Sequence, residues 1–497
     1  MPRLNVQIIF YIMGMLLLCN GGFMLLATAV GWYYQDGSMK PLFTSALITL
    51  VTGAALMFFM RGGGDMKKRE GYIIVTFGWL FMTLSGTLPY ILSDSIPGFT
   101  NAFFETMSGY TTTGASILND IEVLPEGILF WRSLTHWIGG MGIIVLAIAI
   151  LPLLGIGGMQ LFVAEAPGPS TDKLKPRITD TAKRLWFIYV GLTLAQTLLL
   201  KLAGMGMFDA ANHSLSTMAS GGFSTKNLSV SYWNDTPLIQ YIIIFFMFFA
   251  GTNFVVLYYL FKGNIKKVLA NLEFKWYTSF TVVFALIVGL VVFLRADLGL
   301  SSLSHPMVLG ELESAFRHGL FQVVAVITTT GFVTADYALW PPFLTILIFG
   351  LFFLGGSSGS TAGGVKVMRH VIMIRNGVME FKRALHPNAV LPVRYNGKAI
   401  GNEIVFNVLG FFILYMIFFI VGAVVLGMLG VDMQTAIGGS AASLGNIGPA
   451  FGSLGPVNNY DVLPAAGKWW CCFLMLIGRL ELFTVLILFT PFFWRNR

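Results

Sequence analysis

Thr111-Thr112-Thr113-Gly114, Ala219-Ser220-Gly221-Gly222, Thr328-Thr329-Thr330-Gly331 and Gly445-Asn446-Ile447-Gly448 are four versions of one short cluster, and their spacing decides the fold. The closing glycines lie 108, 109 and 117 residues apart. Twelve residues before each stands a small residue: Ala102, Ala210, Gly319 and Ala436. Each cluster ends a weakly apolar stretch of about 12 residues, too short to cross a bilayer, whose spanning helices need about 20. A single Thr-Gly turn carries little weight. Four clusters at near-constant spacing mark an internal repeat.

Ten longer apolar runs surround the clusters, roughly 8–32, 41–60, 72–92, 127–154, 185–206, 237–262, 276–295, 341–375, 402–430 and 466–494. Each reads as a membrane helix. The first is no cleaved signal, because its apolar run is long and a second span follows at once. The clusters fall in the long loops between spans 3–4, 5–6, 7–8 and 9–10. The expectation is an all-α polytopic membrane protein with a two-helix leader (1–70) and four helix–pore loop–helix units around one central pore. These units are 71–182 (loop 101–120), 183–270 (loop 209–228), 271–400 (loop 315–335) and 401–497 (loop 434–455).

Composition supports a membrane chain. Only 11% of the 497 residues are charged, against about 25% in soluble domains. This excludes an ordinary soluble enzyme, a nucleic-acid partner and a disordered chain. Three cysteines, two of them vicinal in an apolar run (Cys471, Cys472), exclude a disulfide scaffold and read as small apolar fillers. Of the 31 basic residues, 23 fall near the termini and in segments 61–70, 173–184, 262–275 and 366–398, all on one side of the spans. That side is cytoplasmic by loop charge, so both termini are inside. The opposite loops hold five basic and 14 acidic residues, a field that would concentrate cations. Glycine is in excess, at 56 residues. Segments 139–158, 350–364 and 438–455 hold 18 of them.

The clusters suit backbone coordination of an ion. Non-helical backbone at membrane depth must be buried or line water. Its carbonyls can replace a cation's hydration shell, and they align only if some residues take positive φ, which glycine does cheaply. The short helices end at the clusters, where the negative end of the helix dipole favours a cation. No cluster glycine adjoins Asp or Glu. A neutral carbonyl ring suits a monovalent, weakly hydrated ion, and potassium is the natural candidate. The candidate ion-filter residues are Thr111, Thr112, Thr113 and Gly114; Ser220, Gly221 and Gly222; Thr329, Thr330 and Gly331; and Asn446, Ile447 and Gly448. No organic cofactor is expected.

With these residues in hand, the chain resembles the membrane subunit of Trk-type bacterial potassium uptake systems, within the superfamily that includes the Ktr and plant HKT transporters. The stretches that carry the resemblance are Thr111–Ser116, Ser220–Thr225, Thr328–Phe332 and Gly445–Pro449. Segment Arg132–Gly142, the glycine-rich stretch 355–364 and Gly478-Arg479-Leu480-Glu481 complete the pattern. The resemblance covers essentially the whole chain. It implies potassium uptake across the bacterial inner membrane, with filter glycines Gly114, Gly222, Gly331 and Gly448. It also implies a homodimer and a cytosolic, nucleotide-binding (NAD/ATP) regulatory subunit. Clusters two and four depart from the threonine-rich pattern, so the expected ring is only approximately fourfold.

Span 8 starts at Pro342 and is interrupted by Gly355, Gly356, Ser357, Ser358, Gly359, Ser360, Thr361, Ala362, Gly363 and Gly364. Five glycines in ten residues oppose a helix by roughly 1 kcal/mol each. This stretch reads as an intramembrane gate, and the resemblance assigns one here. Close helix packing through small residues is the rival. A nucleotide loop fails on spacing, since Val365 separates Gly364 from Lys366. Arg479 lies inside span 10 and reads as an electrostatic barrier facing the pore near this loop, with Glu481 turned to another helix. Arg479 satisfied by neighbouring carbonyls is the blander account. Glu105, His213, Gln322 and Gly439 share one offset before the filter glycines, and hydrogen bonds there would steady the short helices. His136 and Trp137 read as helix packing, and the basic segment 366–398 as a docking site for the cytosolic partner. A gated potassium pore is favoured over a secondary transporter coupled to H+ or Na+, because Glu481 is the one clear intramembrane carboxylate. An enzyme has no support, for no nucleophile with a partnered base stands out.

Overall fold

A computed structural model of the chain describes residues 4–60, 68–145, 178–296, 303–389 and 391–495. Helices dominate; a two-residue hairpin ladder, Arg394–Tyr395 with Lys398–Ala399, is an exception. Six helices are long and apolar enough to span a membrane: Val6–Tyr34, Met39–Phe59, Arg69–Leu92, Lys183–Leu202, Leu272–Arg295 and Asn402–Met428. Two bent pairs bring the number of candidate spans to eight: Pro237–Ala250 with Phe254–Phe261, and Ala465–Arg479 with Phe483–Phe489. The fourth expected span appears as Glu126–Val145, and the rest of 127–154 lies outside the described residues, as do parts of basic segments 61–70 and 173–184. The eighth is a short apolar helix, Pro342–Leu351, then irregular chain, then an amphipathic helix, Val367–Leu385.

The bends in spans 6 and 10 depart from the continuous helices expected there. Span 6 turns by 111° at Gly251-Thr252-Asn253, and span 10 by 109° around Glu481 and Leu482, both at positive φ (56° and 43°). No proline causes either bend. Each is held by tertiary hydrogen bonds described below, which hydropathy cannot register.

The two leader helices pack antiparallel at very close range. A Cβ on Gly14 would meet the Gly53 carbonyl oxygen at 2.7 Å, and one on Gly53 would meet that of Gly14 at 2.8 Å. Small residues allow such backbone approach between membrane helices. The leader is also tied to the centre. Asn20 donates to Ser85 Oγ (2.8 Å) and accepts from the Tyr110 hydroxyl (2.6 Å), and Tyr110 ends a central helix.

Four short helices point their C-termini at the middle of the molecule: Phe99–Tyr110, Met207–Met218, Glu311–Ile327 and Met433–Gly445. Each packs against a long helix of its own unit, and their inner turns are buried on every side. This is why they look only weakly apolar: protein, not lipid, surrounds them.

Candidate functional site

Each short helix ends in the same hydrogen-bonded cap. Counting the closing glycine as position 0, the amide of the −1 residue bonds the carbonyl five residues back: Thr113 to Ser108, Gly221 to Ser216, Thr330 to Ala325 and Ile447 to Ala442, at 2.8–3.0 Å. The −2 residue supplies the left-handed conformation this cap requires. Thr112, Ser220, Thr329 and Asn446 sit at φ 51°, 55°, 55° and 55°. The closing glycines follow at φ 78°, 81°, 73° and 91°. The alternation is identical in all four copies. Glycine accounts for one positive φ in each; the other is forced on Thr, Ser or Asn, at about 1–3 kcal/mol apiece. Sequence reasoning missed that second site. Its one signal was Asn446, a residue that tolerates this conformation.

The four segments close a ring. A Cβ on Gly114 would run into the Gly221 carbonyl oxygen, one on Gly222 into that of Thr330, and one on Gly331 into that of Ile447. One on Gly448 would meet the Thr113 oxygen at 2.6 Å. Every closing glycine therefore abuts the −1 carbonyl of the next unit, in the order one, two, three, four, one. All of Thr111, Thr112, Thr113, Ser220, Gly221, Thr329, Thr330, Gly331, Asn446, Ile447 and Gly448 are buried, and Gly114 and Gly222 are half-buried. Side chains brace the ring from outside. Thr111 and Thr113 share a hydroxyl contact of 2.8 Å, as do Thr328 and Thr330. Asn446 Nδ2 donates to Thr113 Oγ1 (3.0 Å) and to the Met475 carbonyl (2.9 Å).

Beyond the glycines, further clamps hold the descending chain. Glu105 accepts from Ser116 Oγ (3.0 Å), the Ile117 amide (2.9 Å) and Arg132 Nε (2.7 Å). His213 Nε2 lies 3.0 Å from Ser224 Oγ. With the Gln322 amide oriented so that both of its ends are paired, its oxygen accepts from the Thr334 and Ala335 amides at 2.8 and 3.2 Å. Three of the four residues at that offset therefore steady the loops. Gly439 cannot, and in its unit the Tyr460 hydroxyl takes the Gly448 carbonyl instead (2.7 Å). At the loop's surface, the hydrogen bond from Lys468 to Asp461 (2.8 Å) holds that carboxyl below the usual range. Burial pushes the Asp336 carboxyl upward.

The glycine-rich stretch lies against the −2 side of the ring. Irregular chain runs from Phe352 to Lys366, wider than the expected 355–364, and nearly all of it is buried. Thr361 Oγ1 lies 2.9 Å from Ser220 Oγ and donates to the Met218 and Ala250 carbonyls (2.9 and 3.1 Å). The Gly363 amide donates to Thr329 Oγ1 at 2.6 Å. A Cβ on Gly363 would meet the Gly445 carbonyl at 2.6 Å. The loop and the bend in span 6 satisfy one another. The Ser357 amide bonds the Gly251 carbonyl (2.8 Å), the Phe254 amide bonds that of Gly359 (3.1 Å), and Asn253 Nδ2 bonds that of Ser358 (2.6 Å). Two broken elements thereby meet the demand that buried backbone groups be paired. Gly355, Gly359 and Gly364 supply positive φ, as does Lys366.

Charged groups pin the loop's surroundings. Arg479 is buried and donates to the Thr361 carbonyl at 2.7 Å and to that of Gly139 at 3.3 Å. It thus touches the glycine-rich loop and also bonds a backbone oxygen of the first unit, with its Nε left without a partner among the described residues. The helix ends at Arg479, and the 109° bend that follows carries Glu481 away from it. Glu481 turns to Arg369 Nη2 at 2.6 Å. Glu273, which sequence reasoning passed over amid the basic segment 262–275, is buried and accepts from the Ser358 amide at 2.6 Å. The ion pair Glu105–Arg132 was also not foreseen. No group of three or more His, Cys, Asp or Glu able to hold a metal is present among the described residues.

Comparison with known proteins agrees with this architecture. A family model described as TrkH, cation transport protein, matches residues 39–496. The chain is 42% identical to the Trk system potassium uptake protein TrkH of Salmonella typhimurium, over 99% of this chain and all of that one. It is 33% identical to the Trk system potassium uptake protein TrkG of Escherichia coli K12, over 99% of both. Among solved structures it resembles the crystal structure of the potassium transporter TrkH from Vibrio parahaemolyticus, with a TM-score of 0.88 and 38% identity over 99% of this chain and all of that one. The resemblance read from the clusters is therefore confirmed, and this chain belongs to the TrkH family of cation transport proteins, multi-pass membrane proteins that carry ions and are not enzymes.

Proposed function

We propose that this chain is the pore of a potassium uptake system, in which the ring of −2 to 0 residues binds dehydrated potassium and the 355–364 loop gates it. The observation that carries this reading is the closed ring, with two positive-φ residues in each of four unlike segments. Such backbone is strained, and a ring of carbonyls is what the strain can be for. The filter is formed by 111–114, 220–222, 329–331 and 446–448, one segment from each of the four units 71–182, 183–270, 271–400 and 401–497. Its relatives' names, Trk system potassium uptake protein, point the same way.

The gate reading is supported by the loop's hydrogen bonds to two −2 residues and to Arg479. Arg479 contributes positive charge beside the ion path and, by holding Thr361, keeps the loop shut. Coupling to H+ or Na+ is disfavoured, because the Glu481 carboxylate is committed to Arg369. The chain sits in the bacterial inner membrane with both termini cytoplasmic, as a homodimer. A cytosolic NAD- or ATP-binding subunit docks at the basic segment 366–398, where Phe381 and Leu385 are exposed beside Lys382 and Arg383.

The test is flux into liposomes of potassium, rubidium, sodium and lithium, for the wild type and Gly331→Ser. The expected result is potassium and rubidium preferred, with the preference lost in the variant. An unchanged ranking would remove the filter assignment. Reversal potentials under opposed potassium and proton gradients test the uncoupled mechanism, which follows the potassium gradient alone.

A further inference from the structure

The second ring segment lacks a side chain that the others have. At −1, Thr113 and Thr330 are each locked by a hydroxyl contact to the threonine two residues before, Thr111 and Thr328, and Ile447 is buried among apolar groups. Gly221 has nothing of its own there. The space is nonetheless full. A Cβ on Gly221 would collide with the His136 ring, lying 2.5 Å from Cγ and 2.6 Å from Cε1. The imidazole belongs to the helix Glu126–Val145 of the first unit, so a neighbour fills the position that a −1 side chain occupies elsewhere.

His136 is fully buried and fixed on several sides. Its Nδ1 lies 3.2 Å from Ser216 Oγ, on the helix that ends at the second segment. Its ring stacks on Phe223, the residue after Gly222, with centroids 3.9 Å apart and planes 15° from parallel. The Arg132 guanidinium stands 3.5 Å from the centre of the Phe223 ring, so it covers that ring's other face. Arg132 also donates to the Ser224 carbonyl at 3.0 Å and pairs with Glu105. One turn of helix thus carries two residues that grip the second segment at −1, +1 and +2. The grip is joined through Glu105 to the chain that follows the first segment. In the other three units the −1 carbonyl is aimed by its own residue's packing. Here the cap bond from the Gly221 amide to Ser216 is kept but no side chain of its own packs the −1 residue, and because glycine's backbone turns more freely a partner from outside must help aim the carbonyl.

We propose that His136 is a positioning residue for ion selectivity: its ring stands in for the missing −1 side chain and holds the Gly221 carbonyl in line with the other three. This rests on the filter reading above. The expected behaviour is that His136→Ala still carries potassium but discriminates several-fold less well against sodium. His136→Phe, which keeps a flat ring in the slot and the stack on Phe223, retains most of the discrimination.

The experiment compares initial potassium and sodium fluxes into liposomes for wild type, His136→Ala, His136→Phe and Gly331→Ser, each first shown monodisperse in detergent. The informative readout is the flux ratio, because a merely structural defect lowers both fluxes together. A wild-type ratio in His136→Ala overturns the proposal, as does an equal loss in both histidine variants. If His136→Ala does not purify, the proposal stands or falls on His136→Phe, whose ratio must stay near wild type. If Gly331→Ser also leaves the ratio unchanged, it is the filter reading that fails; if only Gly331→Ser shifts it, the role of His136 alone is lost.

Discussion

The ring and the floor against it answer to different symmetries. In the ring, four segments with different side chains share one backbone, down to the −1 amide bond and the two positive φ values. At the floor, the corresponding second helices break in unlike ways. Span 6 bends at Gly251–Asn253, span 10 around Glu481–Leu482, and span 8 opens into a long buried loop between Leu351 and Val367. On the filter proposal, the ring is regular because an ion on an axis sees oxygens, not residue names, and only backbone can be repeated across diverged sequences. On the gate proposal, the floor is irregular because one movable element needs fixed partners. The short breaks supply these partners as carbonyls at Ala250 and Gly251 and as the Arg479 guanidinium.

The comparison can be broken most severely at the ring. Gly331→Ser places a Cβ against the Ile447 carbonyl at a φ of 73°. Strain of about 1–3 kcal/mol is enough to lower potassium-over-sodium selectivity by about tenfold or more, read from paired fluxes. At the floor, Arg479→Gln removes a charge and a donor to the Thr361 carbonyl. Bonds from charged groups contribute about 1.5–3 kcal/mol, so basal potassium flux should rise by about tenfold with its ion ranking kept. Unchanged or lower flux from folded protein would show that Arg479 does not restrain the path.

A milder change sharpens the distinction. Thr361→Val deletes the hydroxyl shared with Ser220 and the Met218 and Ala250 carbonyls. Loss of about 1 kcal/mol from the closed loop should raise flux by about fivefold and leave selectivity intact. A changed ranking there would mean that ring and floor are one element, not two. The smallest effect belongs at the surface. Asp461→Asn removes the pairing with Lys468 and should cost less than about 1 kcal/mol, seen as a slight fall in unfolding temperature in detergent. The Asp461 carboxyl titrates below its unfolded value, so its contribution is full above about pH 4 and fades as pH falls through the folded pKa. The gap between variant and wild type should therefore close in acid.

The leader, the first helix of each unit and the four short helices were legible because hydropathy and glycine spacing record burial and repetition directly. The bends in spans 6 and 10 were not. Nothing in Phe-Ala-Gly-Thr-Asn-Phe at 249–254 announces that its carbonyls will be taken by Ser357 and Thr361 more than a hundred residues later. The same holds for Glu273, which looks like one charge in a basic segment until the Ser358 amide is found against it. Arg479 was visible as a charge in an apolar run beside the glycine-rich loop, but the particular carbonyls it bonds, of Thr361 and Gly139, were not. Glu105 and Gln322 were visible by their shared offset, and their geometry is that of loop clamps.

By itself the sequence determined the family, the membrane class and the positions of the four clusters, because these depend on local composition and on repetition along the chain. Only the tertiary structure decided that the clusters close on one another, that Thr112, Ser220, Thr329 and Asn446 bear half of the left-handed backbone, and that His136 fills the place of a side chain Gly221 lacks. The physical reason is the same in each case. A positive φ at Thr or Ser, a bend without proline and an empty −1 position are all unfavourable alone, and each is held only by groups that other units bring to it.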